Sequence, residues 1–123
     1  MKAVKALLSR GDRVCVAPQN ITEFWNAATR PAGSANGLGM SIIEAHKEVV
    51  RMAVLLVLLP ETERIYPMWL DLVLKHSVRG IDVYDARLVA AMRVHGLKNL
   101  LTFDVHDFKR YPEIQVFHPN DVR

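Results

Sequence analysis

The chain has 123 residues, of which 50% are hydrophobic and 24% are charged. This balance is typical of a soluble globular protein with a hydrophobic core, and it argues against general disorder, a collagen-like repeat and a disulfide scaffold. The 16 Lys and Arg residues against 13 Asp and Glu give a net charge of +3, which permits an anionic partner without requiring one. We therefore expect one domain over residues 1–123.

Compartment and membrane association follow from simple features of the sequence. Cys15 is the single cysteine, which excludes an intramolecular disulfide and favours a reducing, cytoplasmic compartment. The first residues show no secretory pattern, because Lys5 and Arg10 interrupt their apolar positions. The longest apolar run, residues 52–59, is too short to cross a bilayer as a helix. We expect a cytoplasmic protein without a membrane partner.

The hydrophobic periodicity alternates helices with short apolar strands along the chain. Ser41 and Glu44 have the spacing of a capping box, and residues 55–59 fit either a helix end or a short buried strand. This alternation predicts an α/β fold with a mostly parallel sheet. The pattern predicts a helix that ends at Gly11, a strand at 13–17, helices at 20–29, 41–53, 61–77 and 84–94, a strand at 99–103, a short helix at 105–111 and a strand at 114–117.

Three predicted helices open with the same polar pattern, a cap-type residue followed three positions later by an acid. The simplest interpretation is that all three are capping boxes, in which the carboxylate also complements the helix dipole. The three pairs are Asn20 with Glu23, Asp82 with Asp85, and Asp104 with Asp107.

A functional interpretation of the same acids follows from the predicted topology. Helices that follow parallel strands begin at the carboxyl edge of the sheet, so Glu23, Asp85 and Asp104 are expected to converge on one cleft. Clustered carboxylates repel one another unless a cation offsets their charge, and oxygen ligands suit Mg²⁺ or Mn²⁺. A metal held there can activate water for attack on a phosphodiester, which is nuclease chemistry.

Five stretches, in order along nearly the whole chain, resemble the PIN-domain family of metal-dependent ribonucleases, which includes the VapC-type toxins. The resemblance implies a three-layer α/β/α sandwich with a mostly parallel sheet, and cleavage of single-stranded RNA with Mg²⁺ or Mn²⁺. It also implies an antitoxin protein as a possible partner and a homodimer. The stretches are PQNITEFWNAATRP, NGLGMS, LLPE, YDARLVAAMRVHG and LLTFDVHDF.

The resemblance assigns roles to individual acids. The family's second acid falls on Glu23, the acid at the start of the long helix on Asp85, and the acid after the following strand on Asp104. Asp107 is a nearby second candidate for the metal, and Asp82 is expected to cap or support rather than to bind.

The front of the sequence departs from the family pattern. Family members usually begin with an apolar strand that ends in the first metal-binding Asp, and no such strand precedes Arg13 here. Asp12 is no substitute, because it lies in the turn before the next strand. The resemblance therefore implies an N-terminally truncated PIN-like domain with an incomplete sheet and weaker metal binding. This opens the alternative of a non-catalytic module that binds an antitoxin-like protein or RNA.

Several further residues have two interpretations each. Phe24 and Trp25 are expected to pack on the sheet, with base stacking as the alternative, and Arg30 and Arg87 to be solvated, with phosphate contact as the alternative. Among the histidines, His106 is expected nearest the cleft. Residues 40–59 are expected to be mostly core, with a subunit contact as the alternative. A phosphatase is disfavoured because the chain has no Asp-x-Asp nucleophile and no phosphate-binding glycine motif.

Overall fold

The computed structural model describes residues 2–123 and divides them into two compact units. One unit comprises residues 2–12 together with 61–123, and the other comprises residues 13–60. Within residues 2–123, no helix combines the length and apolar character that a membrane span requires. The assignment of the chain to one domain stays a prediction.

Five α-helices, four short β-strands and three 3-10 helices make up the described chain. The helices are α1 (Lys2–Ser9), α2 (Pro18–Thr29), α3 (Ile42–Leu55), α4 (Ile65–Lys75) and α5 (Val83–Val94). The strands are β1 (Cys15–Val16), β2 (Val57–Leu58), β3 (Asn99–Leu101) and β4 (Gln115–Phe117). The 3-10 helices span Gly80–Asp82, Val105–Phe108 and Pro119–Asp121.

All strand pairs are parallel, as the alternation of helices and strands predicted. In the unit of residues 13–60, β1 pairs with β2, with Cys15 opposite Val57. In the other unit, β3 pairs with β4, with Leu100 opposite Val116. The strands therefore form two separate two-stranded sheets. Each strand is shorter than the corresponding apolar run in the sequence. Residues 55–59 were predicted to be either a helix end or a short strand. The structure has both, because α3 ends at Leu55 and β2 follows at Val57–Leu58.

The starts of α2 and α3 differ in how their backbone groups are bonded. At α3 the capping box is confirmed, because the Glu44 N–H donates to the Ser41 hydroxyl at 3.1 Å and the Ser41 N–H donates to Glu44 at 3.0 Å. The prediction that Asn20 opens α2 was wrong. The helix begins at Pro18, whose missing N–H costs nothing at a first helical position. Asn20 instead accepts the Ala17 N–H at 2.8 Å from inside the first turn.

The packing of α4 against α5 forms the core of the larger unit. Leu72 on α4 and Val89 on α5 are 1% and 0% exposed. The small residues Ala86 and Ala90 on α5 are fully buried in the same core. Gly96 ends α5 with a positive φ of 70°, the left-handed conformation expected at this position.

The expectation that residues 40–59 are mostly core was wrong for much of α3. Only Ala45 is buried on this helix, whereas Val54 is 78% exposed and Ile43 is 69% exposed. Hydrophobicity alone does not separate a core face from an apolar surface face, so the sequence pattern gave no warning of this exposure.

Candidate functional site

The start of α5 places two carboxylates one turn apart. Asp85 lies in the first turn of α5 and is half-buried, and Asp82 is the residue immediately before α5. Asp82 was expected to cap α5 or to support the site; it occupies the N-cap position, but its side chain makes no capping hydrogen bond. Its carboxylate instead lies 3.4 Å from a guanidinium nitrogen of Arg110, which agrees with a supporting role.

Asp104 and Asp107 follow the carboxyl end of β3. The Asp104 N–H donates to the Thr102 hydroxyl at 3.1 Å, and the Asp107 N–H donates to the Asp104 carbonyl at 3.1 Å. The expected capping box is absent, since the Asp104 side chain makes no cap bond and the backbone turns into a short 3-10 helix. Both carboxylates are exposed, and within residues 2–123 neither forms an ion pair. They are therefore accessible to a ligand.

An open cleft joins the start of α5 to the Val105–Phe108 helix and the residues after it. Its volume is about 360 Å³. We call it the Asp82–Arg110 cleft after the ion pair in its wall. His106 lies in it, whereas the sequence predicted His106 nearest to a different cleft, the one of Glu23, Asp85 and Asp104. Two acids, two basic side chains and a histidine surround the space, so groups of both charges face a ligand there. The lining residues are Asp82, His106, Asp107, Lys109 and Arg110.

The pKa of Tyr111 depends on charged groups that include Arg110 and Asp82 of the cleft wall. Its side chain is 2% exposed, and this burial is the main cause that raises the pKa of its phenol. The nearby Arg110 lowers this pKa, while the carboxylates of Asp85 and Asp82 raise it further. The His76 ring packs edge-on against the Tyr111 ring, with 5.0 Å between the ring centroids. Asp85, which does not line the cleft, thus influences the same phenol as Asp82 and Arg110 do.

Glu23 belongs to the unit of residues 13–60. It was expected at a helix start, but α2 begins at Pro18 and Glu23 therefore lies in the second turn. Its carboxylate is exposed and accepts a hydrogen bond from the Gln19 amide at 3.0 Å. Among residues 2–123 as a whole, no three His, Cys, Asp or Glu side chains form a group that could hold a metal ion. The metal-binding and catalytic roles of Glu23, Asp85, Asp104 and Asp107 stay predictions.

The cations of the cleft differ from those that the sequence suggested. Arg87, considered for phosphate contact, makes two hydrogen bonds to the Glu61 carboxylate at 3.2 and 2.9 Å. This pairing lowers the pKa of Glu61 and raises that of Arg87. Lys109 and Arg110 were missed. The Asp82–Arg110 pair joins residues far apart in the sequence, and no local motif signals such a contact.

Comparison with known proteins identifies the class of this protein. The sequence model of the PIN domain matches residues 1–114. The chain therefore belongs to the PIN-domain family, which confirms the resemblance seen in its motifs.

A solved structure supports the same fold. The chain is similar to the 2.2 Å resolution structure of VapBC-1 from nontypeable Haemophilus influenzae, with a TM-score of 0.65 and 18% sequence identity. The match covers 98% of this chain and 87% of that chain. At this identity the likeness shows the fold, and it confirms an α/β PIN-type architecture. No curated protein sequence matches the chain.

PIN domains generally use divalent metal ions, so the donor chemistry can be compared with that use. The accessible groups at Asp104 and Asp107 are carboxylates, and a third carboxylate lies in the first turn of α5 at Asp85. Carboxylate oxygen is the donor that Mg²⁺ and Mn²⁺ prefer, and thiolates are absent from this set. The donor type therefore fits a hard divalent cation.

Proposed function

We propose that this PIN domain is a metal-dependent endoribonuclease of the VapC-toxin type that cleaves single-stranded RNA phosphodiesters. Membership of the PIN-domain family is the observation that carries the proposal. The accessible carboxylates after β3 and the acid in the first turn of α5 support it, because they supply the donor type that this chemistry uses.

The proposed roles divide between acids and cations. Asp85 and Asp104 would hold Mg²⁺ or Mn²⁺, with Asp107 as the further candidate, and Glu23 keeps the metal-binding role that the family resemblance implies for it. When bound, a divalent cation supplies activation of water and offsets negative charge on the phosphodiester. The cations of the Asp82–Arg110 cleft bind and orient the phosphate backbone, and Asp82 restrains the Arg110 guanidinium.

Metal binding and cleavage by the 123-residue chain test this proposal together. Calorimetric titration with Mn²⁺ is expected to show binding that Asp85→Asn removes, because the amide has no negative charge. Cleavage of an unstructured RNA oligonucleotide is expected to need Mn²⁺ and to fall in the same variant. Asp71→Asn, at an exposed position of α4, is the matched control. Equal cleavage by wild type and Asp85→Asn would remove Asp85 from the proposed site.

A second candidate function is a non-catalytic module that binds RNA or an antitoxin-like protein. One observation favours it, namely that no three potential metal-binding side chains form a group among residues 2–123. The same experiments separate the two functions. A folded protein that binds RNA or a protein partner but neither binds Mn²⁺ nor cleaves RNA would support the module and contradict the nuclease.

Protein partners are part of the proposal. We propose a homodimer and, for the toxin function, an antitoxin protein. The exposed apolar face of α3 supports a subunit contact, because Ile43, Val50 and Val54 recur at helical spacing and are 69%, 48% and 78% exposed. Contiguous apolar surface of this kind is typical of protein interaction sites.

A further inference from the structure

We propose that His76 and Tyr111 form a pH-sensitive switch at the end of α4. The switch is closed while the His76 imidazole is neutral, and it opens when the imidazole is protonated. Opening turns the imidazole away from Tyr111 and releases the last turn of α4. The switch lies within the larger unit and does not depend on the proposed nuclease activity.

The closed switch is a contact between two rings. The His76 imidazole packs edge-on against the Tyr111 ring, with 5.0 Å between the ring centroids and 71° between the ring planes. Tyr111 is 2% exposed and belongs to the same buried core as Leu72 of α4. The contact therefore joins the end of α4 to the segment that follows the Val105–Phe108 helix.

The Nε2 atom of His76 is the part of this contact that responds to pH. It is buried and, within residues 2–123, has no hydrogen-bond partner. A neutral imidazole tolerates this position, because it can carry its single proton on Nδ1 and keep Nε2 as an acceptor. A protonated imidazole has an N–H on both nitrogens, so a charged donor would be buried without an acceptor, which is costly. Protonation therefore favours an imidazole that turns Nε2 toward water.

The charged groups near the two rings are of both signs. They comprise the groups that act on the Tyr111 phenol and the lysine in the last turn of α4, namely Arg110, Asp85, Asp82, Glu113 and Lys75. The carboxylates and the negative end of the α4 dipole favour a positive imidazole, and the two cations oppose it. None of these five side chains forms a hydrogen bond with His76 Nε2, so the closed switch leaves a protonated Nε2 unpaired.

The last turn of α4 is the element that the switch holds in place. It ends at Ser77, whose φ of 50° lies in the left-handed region that favours glycine. The Ser77 N–H donates to the Leu74 carbonyl at 3.5 Å, which is a long hydrogen bond, and the Val78 N–H donates to the Val73 carbonyl at 3.0 Å. Unwinding this turn relieves the backbone strain at Ser77, which offsets part of the cost of the lost hydrogen bonds.

Proton NMR of the full chain from about pH 8 to about pH 5, the range in which histidine titrates, tests the switch. The Tyr111 ring resonances are expected to shift as the pH falls, with the same midpoint as the His76 ring. His76→Phe keeps an aromatic ring that cannot be protonated and is expected to abolish this shift. His106→Gln, which removes the histidine of the Asp82–Arg110 cleft, is expected to retain it. Tyr111 resonances that do not move, or that move equally in His76→Phe, would overturn the proposal.

The pH dependence of stability is a second readout. The closed switch holds His76 neutral, whereas an imidazole in the unfolded chain titrates near about pH 6.5. The unfolded state therefore binds the extra proton first, and stability falls as the pH falls. Between about pH 7.5 and about pH 5.5, the unfolding equilibrium constant is expected to rise by up to about tenfold more in wild type than in His76→Phe.

Two further variants complete the stability experiment, which is measured by urea unfolding. His76→Gln also removes the titrating group and is expected to give the same reduced pH dependence as His76→Phe. His46→Gln, at an exposed position of α3, is the matched control and is expected to retain the pH dependence of wild type. Equal losses of stability on acidification in wild type and in both His76 variants would contradict the switch.

Discussion

Acidic residues near helix starts in this chain differ in function according to their partners. Glu44 completes a capping box, and its bonds to Ser41 lower the pKa of its carboxyl. Asp82 immediately precedes α5, as Ser41 precedes α3, but it pairs with Arg110 instead of capping. Asp104 does neither and is exposed after β3. Sequence position sets where an acid lies in an element, while its partner sets what the carboxylate does there.

The Glu61–Arg87 ion pair predicts a small pH dependence of stability. Because the pair lowers the folded-state pKa of Glu61, its contribution is present above pH 4.5 and is lost as the pH falls through that lowered pKa. Both side chains are about two-fifths exposed, so the contribution is at most about 1 kcal/mol. Urea unfolding on either side of pH 4.5 should show a smaller loss of stability on acidification in Arg87→Gln than in wild type. Identical losses would show that solvent screens the pair completely.

At the scale of elements, α4 and α5 supply most of the buried core of the larger unit. The buried surface of α5 is built largely from small residues, Ala86, Ala90 and Ala91, and Val89 and Met92 are buried in the same core. Close-packed cores of this kind relax little when a side chain is shortened.

Two leucines on α4 give a matched test of this packing. Leu72→Ala is expected to lower the free energy of unfolding by about 2–5 kcal/mol, because Leu72 is 1% exposed and its loss leaves a cavity. Leu74→Ala makes the same chemical change at 71% exposure and is expected to change stability by less than about 0.5 kcal/mol. Chemical denaturation of both variants measures the difference. A similar loss in both would contradict the described orientation of α4.

For the molecule as a whole, the apolar surface of α3 is the feature that points to assembly. This helix buries only Ala45 and exposes several large aliphatic side chains. Burying apolar surface contributes roughly 25 cal/mol per Å², so a face of this kind favours association. The homodimer stays a proposal until its size is measured.

The α3 face gives a direct test of the homodimer. Val54→Glu is expected to shift a wild-type dimer to monomer, because a charge would be buried against the apolar face of the partner. Leu74→Glu places the same charge on another exposed apolar side chain, on α4, and is expected to leave the dimer intact. Light scattering after size-exclusion chromatography measures the mass. A monomeric wild type, or a dimer that persists in Val54→Glu, would contradict this interface.

The sequence by itself determined the class of fold and the order of its elements. Helix periodicity and caps are local, so Ser41, Glu44 and Gly96 were assigned correctly, and the ordered motifs identified the PIN-domain family. Only the tertiary structure decided which side chains meet. The Asp82–Arg110 pair is a contact between distant segments, and the open face of α3 is a surface that no such contact covers. Such contacts leave no periodic trace in a single sequence, because burial and pairing are properties of the packed chain.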